Sequence, residues 1–140
     1  MSATTAVLYV SVVLPDRGTV LLLGNEKDGW QLPTAVVQSG ESVQQAAQRA
    51  VREASGVAVA LTNLVGMYTS PAPSMHIVFT AYTTPDRVQP PLGSLARWTT
   101  PDEALALVGG EQGPEALLPR ILDDVQRGIR FPLSVLVEQR

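Results

Sequence analysis

The hydrophobic positions along the chain follow two distinct periods. Thr5 to Leu14, TAVLYVSVVL, is almost continuously apolar and rich in β-formers, the pattern of a strand buried on both faces. Pro15-Asp16-Arg17-Gly18 puts proline and glycine where a turn favours them, and Thr19 to Leu23 returns as a second strand. A hairpin is therefore predicted. Asn25 to Gly29 is a polar connection into Trp30. From Ser42 the period becomes helical: Val43, Ala46, Ala47, Ala50, Val51 and Ala54 make one apolar stripe. Ser42 is a good N-cap, Gln45 completes a capping box, and Gly56 supplies the left-handed residue that ends a helix. The spacing predicts a helix from 42 to 55.

Beyond it, Val57 to Tyr68 reads as one or two strands, and Ser70 to Ser74 as a proline-stiffened loop. Met75 to Thr83 carries bulky β-formers and reads as a strand. Pro85 to Gly93 is a second proline-rich loop, followed by a short strand at Leu95 to Thr99. Thr100, Pro101, Asp102 and Glu103 then open a helix, with acids at the positive end of its dipole. Gly109 to Gly113 breaks the chain before a last helix over Pro114 to Arg127. The tail, Ile129 to Arg140, is too apolar to hang free. It must pack on the body or on a second copy, which leaves a homodimer open. This order of elements implies one α/β domain spanning 1–140, with a mixed sheet between helices.

Composition narrows the function classes. The chain has 140 residues, enough to bury a core as one domain and too few for two. A net charge of −3 argues against a general nucleic-acid binder or an anionic-membrane binder, because both need a basic face. No apolar run is long enough to span a membrane, and the N-terminus lacks the form of a secretion signal, so a cytoplasmic location is expected. With no cysteine there is neither disulfide nor thiol chemistry, and a single histidine leaves little for Ser-His catalysis or multi-histidine zinc sites.

The chemistry-bearing stretch is Trp30 to Val57. Trp30, Leu32 and Pro33 lead into Ala35, Glu41, Arg49, Ala50, Val51, Glu53, Ala54, Gly56 and Val57. In this register it resembles the signature of the Nudix family. That signature asks for glycine at 35, Glu at 41, Arg-Glu at 49 and 50, an aliphatic at 51, Glu-Glu at 53 and 54, and glycine then an aliphatic at 56 and 57. The box is degenerate: 35, 50 and 54 are all alanine, and the usual Gly-Gly after the lead-in is Thr34-Ala35. The resemblance implies a three-layer α/β/α sandwich. It also implies hydrolysis of a nucleoside diphosphate linked to another group, with Mg²⁺ or Mn²⁺ held by glutamates of the signature helix.

Pyrophosphate cleavage must neutralise charge on non-bridging oxygens and activate a water, and hard cations supply both given oxygen ligands. Positions 50, 53 and 54 share one helix surface, and only Glu53 is a carboxylate there. Metal binding is expected to be weak. Under the resemblance Arg49 and Glu41 form an ion pair fixing the loop to the helix, and Glu41 can instead assist a metal-bound water. Glu111, between glycines, is a candidate substitute ligand. Lys27, with Asn25, lies where the family often has a phosphate-meeting basic residue, while Trp30, Thr34 and Ala35 would border the ligand. Trp98 and His76 read as packing residues, with ligand roles as the alternative, and Glu103 reads as a helix-start acid. Three functions compete: a module binding a nucleotide-like ligand with little or no hydrolysis, an active but divergent Mg²⁺-dependent hydrolase, and an interaction protein relying on its apolar tail.

Overall fold

The computed structural model describes residues 7–25, 27, 29–70, 74–83, 87–90, 94–108 and 117–137. The apolar first strand, β1 (Val7–Val13), lies inside a four-stranded sheet. It pairs antiparallel with β5 (Thr34–Val36) and parallel with β7 (Ser74–Ala81), which in turn pairs antiparallel with β6 (Leu61–Ser70). The order is β5-β1-β7-β6, a mixed sheet. A second sheet forms around β3 (Thr19–Asn25), which pairs with β2 (Pro15–Asp16) at its start and β4 (Gly29–Gln31) at its end. The strand β8 (Leu95–Thr99) runs along residues 20–24 of β3.

The predicted hairpin therefore opens. β1 already has β5 and β7 on its two edges, so no edge remains for β3. The short β2 takes the place of β1 as partner, and one bond from Leu21 N–H to Leu14 O (3.2 Å) links the sheets. Leu14, Leu21 and Leu22 are fully buried at this junction.

Alternation along β1 divides the core. Val10 and Val12 face one way, with Ile77 and Phe79, and pack under the signature helix α1 (Val43–Ser55) through Ala46, Ala47 and Val51. Val13 and Val78 face the other way, toward α2 (Pro101–Leu107) and α3 (Leu118–Gln126), meeting Trp30, Leu32, Leu118, Ile121 and Leu122. Helices thus flank the mixed sheet on both sides, the α/β architecture expected.

The helix ends follow their caps. Ser42 Oγ accepts from Gln45 N–H (3.1 Å) and Gln45 Oε1 accepts from Ser42 N–H (2.9 Å), so both arms of the capping box form. Gly56 closes α1 at φ 74°. Thr100 caps α2, with Pro101 in its first turn. Residues 57–60 are irregular, so β6 is a single strand starting later than the apolar pattern suggests. The start of the predicted last helix and the glycine-rich break lie outside the described residues.

The tail packs on the body. Phe131 exchanges backbone bonds with Leu64 (2.9 and 2.7 Å), a 3-10 turn follows at Leu133–Val135, and Leu133 and Leu136 pack on the α1-side core. Phe131 and Val135 remain about half exposed. Across the other face, Tyr68 of β6 donates to Asp124 of α3 (2.7 Å), and Arg120 Nε reaches the same carboxylate at 3.1 Å.

Candidate functional site

The site is built around β5, where the lead-in ends and the signature loop begins. Trp30 and Leu32 alternate inward on either side of the exposed Gln31, and both are buried in the α2/α3-side core. The Trp30 indole N–H is buried with no hydrogen-bond partner among the described residues, and the Arg97 guanidinium lies 5.8 Å from the ring. Lys27 is exposed in the β3–β4 turn. Asn25 ends β3 opposite Gly29.

Thr34 and Ala35 take up the family's glycine positions without strain. They lie in β5 opposite Ser11 and Val10, and among the described non-glycine residues only Arg17 has positive φ. Ala35 points toward the α1-side core. Thr34 faces the other side, where its hydroxyl donates to Leu32 O (2.9 Å) and meets Ser11 Oγ (2.9 Å). Below this pair is a small cavity of ≈ 20 Å³, with apolar walls from Leu32, Val108, Leu118 and Ile121 and the exposed Gln31 beside them.

Past β5 the loop turns into α1 and is held by one side chain. Arg49 Nε donates to Glu41 Oε2 (2.8 Å), and Nη2 donates to Glu41 Oε1 (3.1 Å) and to Val36 O (2.8 Å). Glu41 Oε1 also accepts from Gln38 N–H (3.1 Å). The Arg49 hydrogen bonds, then the Gln38 N–H, hold the Glu41 carboxyl below the usual glutamate range, and the same pairing raises Arg49. This bidentate geometry suits a planar guanidinium and would not survive replacement by lysine. Both carboxylate oxygens of Glu41 are therefore engaged in fixing the loop.

Glu53 stands apart from this clamp. Its side chain is 62 % exposed and only touches Arg49 Nη1 at 3.5 Å. Ala50 is 2 % exposed, and Ala54 packs against the α1-side core. A resident divalent cation needs several converging oxygens. Among the described residues no group of three or more Asp, Glu or His side chains is gathered to provide them. The described donors thus do not fit a resident Mg²⁺ or Mn²⁺. Glu111 lies outside the described residues.

The remaining candidates have packing or capping partners. His76 is buried on β7, between Tyr9 and Tyr68 of the adjacent strands; its ring stacks on Tyr9 at 4.8 Å and meets Ser74 Oγ at 3.1 Å. Trp98 packs on the α1-side core. Glu103 accepts from Thr100 Oγ1 (3.1 Å) at the start of α2.

Two groupings were not singled out from sequence. Ser11 is the one small polar residue in the otherwise apolar and aromatic run of β1, and that interruption is the signal that could have marked the cavity. Tyr68, Asp124 and Arg120 are brought together from distant segments. Arg120 and Asp124 are a helical i,i+4 pair, but nothing in the sequence points Tyr68 at them.

Comparison with known proteins agrees with this geometry. The NUDIX domain family pattern matches residues 5–121. A NUDIX hydrolase from Nitrosomonas europaea superposes with a TM-score of 0.77 at 25% identity, covering 96% of this chain and 98% of its own. A MutT protein from Methanosarcina mazei Go1 superposes at 0.70 with 19% identity, covering 91% of this chain and 99% of its own. Curated protein sequences give no match. With a degenerate signature folded in its expected register and the domain pattern covering most of its length, the chain belongs to the Nudix family.

Proposed function

We propose that this chain binds a nucleotide-like phosphorylated small molecule with little or no hydrolysis. The observation that carries the reading is the carboxylate count along the signature loop and helix: Glu53 is open, Glu41 is engaged by Arg49, and Ala50 and Ala54 are packed inward. A lone carboxylate with waters binds Mg²⁺ weakly, so the transition-state charge of pyrophosphate cleavage would go largely uncompensated. Binding asks for less. The ligand would lie across β5, with the cavity beside Thr34 on one side and the exposed Lys27 supplying a cation for phosphate. Buried Trp30 and inward-facing Ala35 would shape the walls rather than make polar contacts.

The likeness to a NUDIX hydrolase favours a second reading, an active divergent enzyme in which substrate phosphates recruit the metal to Glu53. One experiment separates the two. Nucleoside di- and triphosphates, dinucleoside polyphosphates and nucleotide sugars are incubated with Mg²⁺ or Mn²⁺ while product release and thermal stability are followed. Binding without turnover gives a ligand-dependent rise in Tm and no product. Metal-dependent product that disappears in Glu53→Gln would establish the enzyme instead. Absence of both would leave the tail-based interaction protein.

A further inference from the structure

The hydroxyl pair under the cleft has a fixed direction. A threonine hydroxyl has one proton, and Thr34 gives it to Leu32 O, a carbonyl that can only accept. The 2.9 Å contact between Thr34 and Ser11 must therefore use the Ser11 proton. Ser11 is 4 % exposed, so its hydroxyl has little water to turn toward. What it presents to the cavity is lone pairs and no hydrogen. The remaining walls are apolar, and the exposed Gln31 carries both an amide donor and an amide acceptor, so it does not discriminate donors from acceptors.

We propose that the Ser11–Thr34 relay makes this cleft selective for a ligand presenting an N–H donor, such as the exocyclic amino group of a nucleobase, over one presenting a carbonyl. The inference rests on the nucleotide-binding reading above and sharpens it. Size agrees: a cavity of ≈ 20 Å³ takes one small polar group, and the exposed Gln31 beside it marks the side from which a ring carrying that group would approach. A carbonyl there would set its lone pairs against those of Ser11 and lose its hydration without replacement, whereas an amino group would restore the lost bond. Thr34 occupies a position where the family signature normally has glycine, which offers no hydroxyl, so the relay is a property of this sequence.

CDP against UDP, and ADP against IDP, exchange an exocyclic amino group for a carbonyl at the same ring position; the adjacent ring nitrogen changes from acceptor to N–H donor with it, so the Ser11 and Thr34 variants are what tie any preference to the relay. Binding of each is measured by calorimetry in Mg²⁺ buffer. The wild type is expected to hold the amino member of each pair about tenfold tighter. Ser11→Ala removes the acceptor and should bring both ratios near one. Thr34→Val keeps the shape but frees the Ser11 proton to turn toward the cavity, so the carbonyl members should gain and the preference collapse or reverse. Thermal melts confirm that both variants fold. Equal binding of the matched nucleotides, or a preference that survives both substitutions, overturns the relay and leaves nucleotide binding standing; the cavity then holds a trapped water only. If none of the four diphosphates binds, the nucleotide-binding reading itself falls and takes the relay with it.

Discussion

The two faces of the first sheet treat polar groups in opposite ways. On the α1 side, the signature's charged residues lie at the rim, where Arg49 ties Glu41 and the Val36 carbonyl together and Glu53 looks outward, while the buried Ser55 hydroxyl is turned back onto the helix's own Val51 carbonyl. Beneath them the face is alanine and valine. On the α2/α3 side, polar groups are drawn into the interior: Ser11 with Thr34 beside the cavity, and Asp124 with Tyr68 between α3 and β6. The lesson is that a family signature marks where chemistry is placed, while the residues packed against it from other strands and helices decide which polar groups are desolvated enough to be selective. Under the proposed relay, the hydroxyl of a residue only 4 % exposed would discriminate because water cannot replace what it lacks, whereas a side chain 62 % exposed always has water.

The sharpest way to break this contrast is to put charge into the apolar side. Ala50→Glu forces a carboxylate into a position that is 2 % exposed, and a loss of about 3 kcal/mol is expected in urea unfolding without metal. A loss well under 1 kcal/mol would mean that the helix face opens readily enough to host a metal ligand. If Ala50→Glu with Ala54→Glu then gained Mg²⁺-dependent hydrolysis over an inert parent, the missing carboxylates would be the cause of inactivity.

Next in size is the buried acid on the opposite face. Asp124→Ala leaves the half-buried Tyr68 hydroxyl without its acceptor and should cost about 2 kcal/mol, most of it from Tyr68 because Arg120 is largely exposed. The pH dependence follows from the same contact. Tyr68 and then Arg120 hold Asp124 below the usual aspartate range despite burial, so its contribution is present above 3.8 and lost as pH falls through its lower folded value. Burial and then the Asp124 carboxylate raise Tyr68, so its contribution is present below 10.0 and lost as pH climbs through its higher folded value. Tyr68→Phe should flatten the alkaline limb of a stability–pH profile. An unchanged limb would show that the phenol ionises as freely as in water.

Arg49→Ala comes third. It releases the loop carbonyl and the Glu41 carboxylate together, for an expected loss of about 1–2 kcal/mol. Glu41 contributes above 4.5 and loses its contribution as pH falls through its depressed folded value, so Arg49→Ala should also shrink the acid-side loss of stability. The smallest effect belongs to Glu53→Gln, under about 0.5 kcal/mol in stability and within about twofold in nucleotide affinity. A large drop in affinity would move Glu53 from the solvated rim into the binding machinery.

Local signals were enough for the elements whose causes are local. The capping box, the αL glycine and the alanine stripe placed α1, and Thr100-Pro101 placed α2, because caps and periodicity act within a few residues. The Arg49–Glu41 pair was legible because the resemblance fixed its register. Pairing was less legible. The apolar run of β1 said it was buried on both faces but not that β5 and β7 would take its edges and send β3 to another sheet. Strand partnership is decided by competition among distant segments for a limited number of edges.

What the sequence determined by itself, then, was both ends of α1 and the start of α2, the two-sided burial of the first strand, and the shortage of carboxylates on the signature helix. The first two follow from residue type and spacing, and the shortage from laying the family signature on that spacing. Only the tertiary structure decided that Ser11 meets Thr34, that Tyr68 meets Asp124, and that Ala50 is sealed. These depend on which faces of separate elements are pressed together, and on water being excluded where they meet.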